Sequence, residues 1–192
     1  MRNLFLFYFL LFTNLVFAQK NVVKGRTIYL PFENPTYTFG LGYERLLNEK
    51  LSVQLLYNST RFTPGFDAKT TESQGFIPEV RYYFGKKEDI RMKAFVAGFV
   101  EAIKIKKFGG MPDGNPDYQF IETNGNLISM GVLIGKNYSI GKHFLLDMYI
   151  GYRYKIFNYT NTFKDSNGDY YYMDFNDNSS GIRMGMNLGF LF

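Results

Sequence analysis

The closing stretch Gly181-Ile182-Arg183-Met184-Gly185-Met186-Asn187-Leu188-Gly189-Phe190-Leu191-Phe192 alternates in character along its length. Ile182, Met184, Met186, Leu188, Phe190 and Phe192 share one side of an extended chain. Gly181, Arg183, Gly185, Asn187 and Gly189 share the other, with Leu191 the exception. Successive side chains of a strand face opposite ways, so the stretch reads as a strand with one apolar face and one polar or small face.

The same period recurs upstream. Phe144, Leu146, Met148, Ile150, Tyr152, Tyr154 and Ile156 oppose His143, Leu145, Asp147, Tyr149, Gly151, Arg153 and Lys155. Ile128, Met130, Val132 and Ile134 oppose Ser129, Gly131, Gly135 and Asn137. Phe76, Pro78, Val80, Tyr82 and Phe84 oppose Glu79, Arg81 and Tyr83. Leu51, Val53, Leu55 and Tyr57 oppose Ser52, Gln54, Asn58 and Thr60, and Tyr37, Phe39, Leu41 and Tyr43 oppose Thr38, Gly40, Gly42 and Glu44. Alternation is weak over 26–32. Over 92–106 both faces are largely apolar, so the outward face of strand 91–107 stays open there. Eight strands are expected, at 22–32, 36–46, 50–62, 74–85, 91–107, 122–139, 143–158 and 180–192.

The connections are unequal. Leu47-Asn48-Glu49-Lys50, Gly85 to Ile90 and Ser139 to Lys142 are short. Segments 63–73, 108–121 and 159–179 are longer and rich in Gly, Asn, Asp, Ser and Thr, the residues of turns and loops. Tight turns at one end and long loops at the other, with strands of about 9–11 residues or more, predict an all-β, eight-stranded antiparallel transmembrane β-barrel. Its short turns are expected in the periplasm and its longer loops outside. A sheet in lipid must close, and an eight-stranded barrel has just room inside for side chains. The minority face therefore predicts a lumen charge network of Glu44, Glu79 and Asp147 with Arg81, Arg153 and Arg183. Such a network would fill the lumen.

Residues 1–18 begin with Arg2, continue through an apolar run and end at Val16-Phe17-Ala18, the pattern of a cleaved secretory signal peptide. The barrel domain is then 19–192. Arg2 is the only charged residue of the leader, so the mature chain carries one charge less than the formal +5. That mild balance in an exported chain predicts no nucleic-acid partner. Cysteine is absent and His143 is the single histidine, so neither disulfides nor a transition-metal site are expected. An aromatic content of 19%, all Phe and Tyr, suits girdles at two membrane interfaces.

No residue is assigned a catalytic, cofactor-binding or metal-binding role. His143 lies at the short-turn end without a sequence-adjacent Ser and acid, and reads as structural. Asp165, Asn167, Asp169, Asp174, Asn176 and Asp177 offer oxygen ligands of the kind calcium takes. Gly168 falls fourth from Asp165 rather than sixth, so the EF-hand spacing fails and a solvated hairpin tip is expected. Tyr170, Tyr171 and Tyr172 could instead extend the last two strands. Lys24, Arg45 and Lys136 are expected to snorkel at the periplasmic rim.

The runs Gly42-Tyr43-Glu44-Arg45 and Pro78-Glu79-Val80-Arg81-Tyr82-Tyr83-Phe84, the pair Leu146-Asp147 and the terminal aromatic resemble small outer-membrane barrels of Bacteroidetes-type bacteria. Many of these carry a domain-of-unknown-function label and are grouped with OmpA/OmpX-like barrels. The resemblance implies that Phe190 and Phe192 serve as the assembly signal read by the barrel-assembly machinery. The peptidoglycan-binding domain of OmpA-type proteins is not expected after Phe192. Taken with the residue patterns above, the expected function is a non-enzymatic outer-membrane protein with a structural or surface-interaction role and a side-chain-filled lumen. Its expected partners are outer-membrane lipid and lipopolysaccharide, and a surface partner at loops 63–73, 108–121 and 159–179. Three other readings stay open: a narrow passive channel, a lipid A-modifying enzyme, and a soluble lipocalin-like carrier of an apolar ligand.

Overall fold

The computed structural model describes residues 21–30, 36–62, 70–85, 90–108 and 118–192, so the expected leader 1–18 lies outside the described residues. Strands β1 (Asn21–Leu30), β2 (Thr36–Leu46), β3 (Leu51–Phe62), β4 (Thr70–Phe84), β5 (Ala94–Phe108), β6 (Tyr118–Ile140), β7 (Phe144–Asp165) and β8 (Tyr170–Leu191) pair in chain order as a closed antiparallel barrel. The tight turn between β2 and β3 has a local cause. The side-chain oxygen of Asn48 accepts from the amides of Lys50 and Leu51, both at 2.8 Å, reversing the chain within four residues.

Closure falls at β1 and β8. Their ladder runs from Val22 opposite Leu191 to Gly25 opposite Leu188. Asn21 and Phe192 complete it by exchanging backbone hydrogen bonds of 3.1 and 3.0 Å. This seam has four register pairs, against ten in the next shortest ladder. Proline interrupts another ladder. Phe76 pairs with Ala102 and Glu79 with Phe99, while Ile77 and Pro78 between them have no partner on β5. Pro78 has no N–H to give, and it occupies the gap where none is needed.

Strand bounds differ from expectation where side-chain composition misleads. β4 begins at Thr70 rather than 74, and β6 at Tyr118 rather than 122. β7 and β8 run on to Asp165 and back from Tyr170, so the expected loop 159–179 is a continuous hairpin with a turn at 166–169. Asn and Asp have low strand propensity, but cross-strand pairing on both sides of β7 overrides it. The parts of the other two long loops at 63–69 and 109–117 lie outside the described residues. β5 begins at Ala94 rather than 91, because Ile90–Met92 forms a 3-10 turn. That turn packs against the core at the short-turn end of the barrel. Ile90 is buried in the core, and its carbonyl accepts from the Asn137 side-chain amide at 3.1 Å.

Over the belt portion of β5 the inward and outward faces separate without a parity switch, whereas β6 shifts register further out, between Phe120 and Glu122. The open question over β5 resolves in favour of Phe95, Ala97, Phe99 and Glu101 facing in and Val96, Gly98 and Val100 facing out. Inside, Val22, Leu46, Leu56, Ile77, Tyr83, Phe95, Phe99, Leu133, Leu145 and Tyr149 pack as one cluster. Outside, apolar side chains circle the barrel and stay exposed, as with Val132 at 62%, Ile182 at 63% and Met184 at 67%. Tyr43, Tyr82, Phe84, Tyr138, Phe144 and Phe190 border this belt at the short-turn end.

Two glycines of β6 make room for rings from β5. A Cβ on Gly135 would fall inside van der Waals contact of the Phe95 ring and the Met148 carbonyl oxygen. A Cβ on Gly131 would meet the Phe99 ring. Gly135→Val is expected to destabilise the folded barrel by about 1–3 kcal/mol, as overpacking does. Urea unfolding of the refolded protein, followed by gel mobility, checks this; an unchanged midpoint would show that the Phe95 ring has room to move.

Candidate functional site

A buried charge cluster crosses the lumen. From β1, Lys24 Nζ lies 2.6 Å from both Glu44 Oε2 of β2 and Asp147 Oδ2 of β7. From β4, Arg81 Nη1 lies 2.7 Å from the same Asp147 oxygen and 3.8 Å from Glu44 Oε2. Arg81 Nε binds Glu79, two residues back on the same face. Glu79 in turn faces Arg183 Nη1 of β8 at 3.5 Å, and Arg183 Nε reaches Glu101 Oε1 of β5 at 3.2 Å. Glu101 ends the string on Arg153 Nη1 of β7 at 2.8 Å. Hydroxyls occupy further carboxylate lone pairs: Ser52 of β3 and Tyr83 bind Glu44, and Ser129 of β6 binds Glu101. All eight strands thus contribute a side chain.

The cluster is balanced. Lys24, Arg81, Arg153 and Arg183 face Glu44, Glu79, Glu101 and Asp147, so the formal charges cancel. Cancellation matters because an unpaired charge in low dielectric is costly. Rings support the cations. The Arg81 guanidinium lies 4.2 Å from the Phe95 centroid and that of Arg183 lies 4.1 Å from Phe99. Gly135 and Gly131 therefore act through those rings on the position of the two arginines. Above, Arg26 Nε donates to Asn187 Oδ1 at 3.0 Å and its Nη2 binds the Tyr149 hydroxyl.

The six network residues read from the sequence lie in this cluster, with Arg81 and Arg183 on carboxylates of the expected set and Arg153 on one outside it. Arg153 joins Glu101 rather than Glu44, Glu79 or Asp147. Glu101 and Lys24 join the cluster without having been expected there. Glu101 is hidden in the sequence because both faces of β5 are apolar around it, yet its parity with Phe95, Ala97 and Phe99 carries the information. Lys24 corrects a further expectation. It is fully buried in the lumen instead of snorkelling at the rim, because Val22, Lys24 and Arg26 share the inward face of β1. Lys136 is exposed and lies over the Tyr138 ring at 5.1 Å, and Arg45 is half-buried.

His143 is exposed, stacked on Phe190 at 5.8 Å, with Nδ1 3.4 Å from the Leu191 carbonyl oxygen. Phe190 also packs edge-on against Phe144 at 5.3 Å, and Phe192 stacks on it at 6.4 Å. At the opposite end Asp165 caps its own turn. Its Oδ1 accepts from the amides of Asn167 and Asp169 at 2.9 and 2.8 Å, and its Oδ2 accepts from the Tyr171 hydroxyl at 3.2 Å. Desolvation opposes ionisation there, but these donors together hold the Asp165 carboxyl below its ordinary value.

The chain is similar in structure to a major outer membrane protein from Thermus thermophilus, with a TM-score of 0.62 at 11% identity, covering 91% of this chain and 100% of that one. It is similar also to the translocator domain of the autotransporter NalP from Neisseria meningitidis, with a TM-score of 0.51 at 15% identity, covering 88% of this chain and 59% of that one. Neisserial surface protein A has a TM-score of 0.48 at 15% identity, covering 91% and 95%. At such identities the likeness is one of fold. No curated protein matches the chain. Residues 4–191 match the family model described as protein of unknown function (DUF3575), and the chain belongs to that family.

Proposed function

We propose that this chain is an outer-membrane β-barrel, closed by its own side chains, with a structural or surface-directed role and no catalytic one. The observation that carries the reading is the pairing of an outward apolar belt with an inward, self-neutralising charge cluster. On β7 the belt runs from Phe144 to Ile156, twelve steps of about 3.3 Å. At a strand tilt of about 40° this is about 30 Å high, close to the roughly 25 Å band of outer-membrane barrels. So much exposed apolar surface has no place in water. The soluble carrier reading needs the reverse arrangement, with the apolar face inside.

In this reading the short turns face the periplasm and the β7–β8 hairpin stands outside. The leader 1–18 directs export, and Phe190 and Phe192 are presented to the assembly machinery. The lumen string from Lys24 to Arg153 sets paired, mostly buried side chains across the barrel, which supports a non-conducting barrel over a channel. The solvent-exposed His143 and its backbone contact favour a structural role for the one imidazole over lipid A chemistry.

The expected result is a mature protein that partitions with outer membranes, shifts in gel mobility on boiling, and gives no steady current in planar bilayers. A soluble protein without a heat shift would overturn the membrane reading. A reproducible unitary conductance would overturn the closed lumen.

A further inference from the structure

Above the belt the outward face changes character within one alternation. Ala102 gives way to Lys104 on β5, Ile128 to Asn126 on β6, and Ile156 to Asn158 on β7. Register joins these into a row, Lys104 opposite Asn126, Asn126 opposite Asn158, and Asn158 opposite Asn176. The next row outward is Lys106, Asn124, Thr160 and Asp174. The two rows line one concave groove on the outside of the barrel. Three of its members are tied: Asn124 donates to Glu122 at 2.8 Å, and Thr160 donates to Asp174 at 2.7 Å. Lys104, Lys106, Asn126, Asn158 and Asn176 have no side-chain partner among the described residues.

A second feature lies lower on the same outward face of β5. Gly98 presents no side chain, and a Cβ there would meet open space. Around it Pro78, Val80, Val100, Met130 and Val132 line an apolar dent in the belt. From Gly98 to Lys104 is six steps, or about 20 Å along the strand. One strand thus offers an apolar dent at belt height and two unpaired ammonium groups beside a row of amides just above it.

We propose that this surface binds a phosphorylated glycolipid of the outer leaflet. Lys104 and Lys106 pair with its phosphate, and the amides of Asn126, Asn158 and Asn176 bond its sugar hydroxyls. An acyl chain lies in the Gly98 dent. Ammonium groups are strong partners for phosphate, and amides both donate to and accept from hydroxyls. A simple anionic phospholipid would satisfy the lysines and leave the amide row without a role. The inference rests on the membrane reading given above, and it names the lipid that the barrel selects.

The test uses the full mature chain refolded into phosphatidylcholine bilayers, with folding verified by the heat shift. Bisphosphorylated lipid A, its dephosphorylated form and phosphatidylglycerol are each titrated in as probes. Wild type should prefer bisphosphorylated lipid A to both others. Lys104→Ala with Lys106→Ala should weaken that binding by about thirtyfold, from two cations at a charged interface. Asn126→Ala with Asn158→Ala should lower the preference over phosphatidylglycerol. Lys136→Ala, at the opposite rim, should change nothing. Equal binding of phosphatidylglycerol, or an equal loss from Lys136→Ala, would overturn the site while leaving the barrel intact. A wild-type chain without a heat shift would remove the membrane reading and the site with it.

Discussion

Asp147→Ala should lower the stability of the folded barrel by about 3–5 kcal/mol, the cost of breaking a buried ion pair by removing one partner. A single Asp147 oxygen serves both Lys24 and Arg81, at 2.6 and 2.7 Å, and all three side chains are fully buried. Its loss leaves two cations sharing Glu44 and Glu79. The readout is the fraction of heat-shifted protein across a urea series, where the midpoint should fall by more than about 1 M. Arg153→Ala provides the contrast. That side chain is 23% exposed, and Glu101 keeps Arg183 and Ser129 without it. Its expected cost is about 1 kcal/mol or less. Equal midpoints for the two variants would show that the lumen cluster is no more than a set of independent pairs.

Ile150→Arg should disfavour the folded, bilayer-inserted state by about 2–4 kcal/mol, the penalty for a cation on the lipid face near mid-membrane. Ile150 lies midway along the β7 belt and pairs with Ile134 and Met184, both exposed outward. Asn158→Arg, eight residues further along the same face, should cost about 0–1 kcal/mol, because it stands in the polar collar. Folding yield into bilayers, read by the heat shift, separates them. An unaffected Ile150→Arg would mean that water, not lipid, meets this face. The pair of substitutions tests the direction of the barrel, whereas Asp147→Ala tests its contents.

Much of the fold was legible because period two is a local property. On β7 and β8 the side chains from Phe144 to Ile156 and from Ile182 to Phe190 sort to the outward face as their alternation predicts. Alternation also places Glu44, Glu79, Arg81, Asp147, Arg153 and Arg183 on the polar or small-residue face of their strands. It could not assign partners. Arg81 and Asp147 lie 66 residues apart in the chain, and only the stagger of a closed barrel sets them opposite each other. The strand ends beyond the belt were illegible for a related reason. Residues 159–179 have the composition of a loop, yet outside the turn at 166–169 they extend as strands, with β7 paired on both sides.

The sequence by itself determined which side chains share a face on six of the strands, and that the strands are eight. These follow from the pleat, which any extended segment has alone. Tertiary structure decided that Lys24 and Glu101 complete the charge cluster and that Phe95 and Phe99 carry its arginines. It also decided that Asn126, Asn158 and Asn176 form a row with Lys104. Each of those depends on register between strands far apart in the chain, and register is set by closure and ladder hydrogen bonding rather than by any one segment.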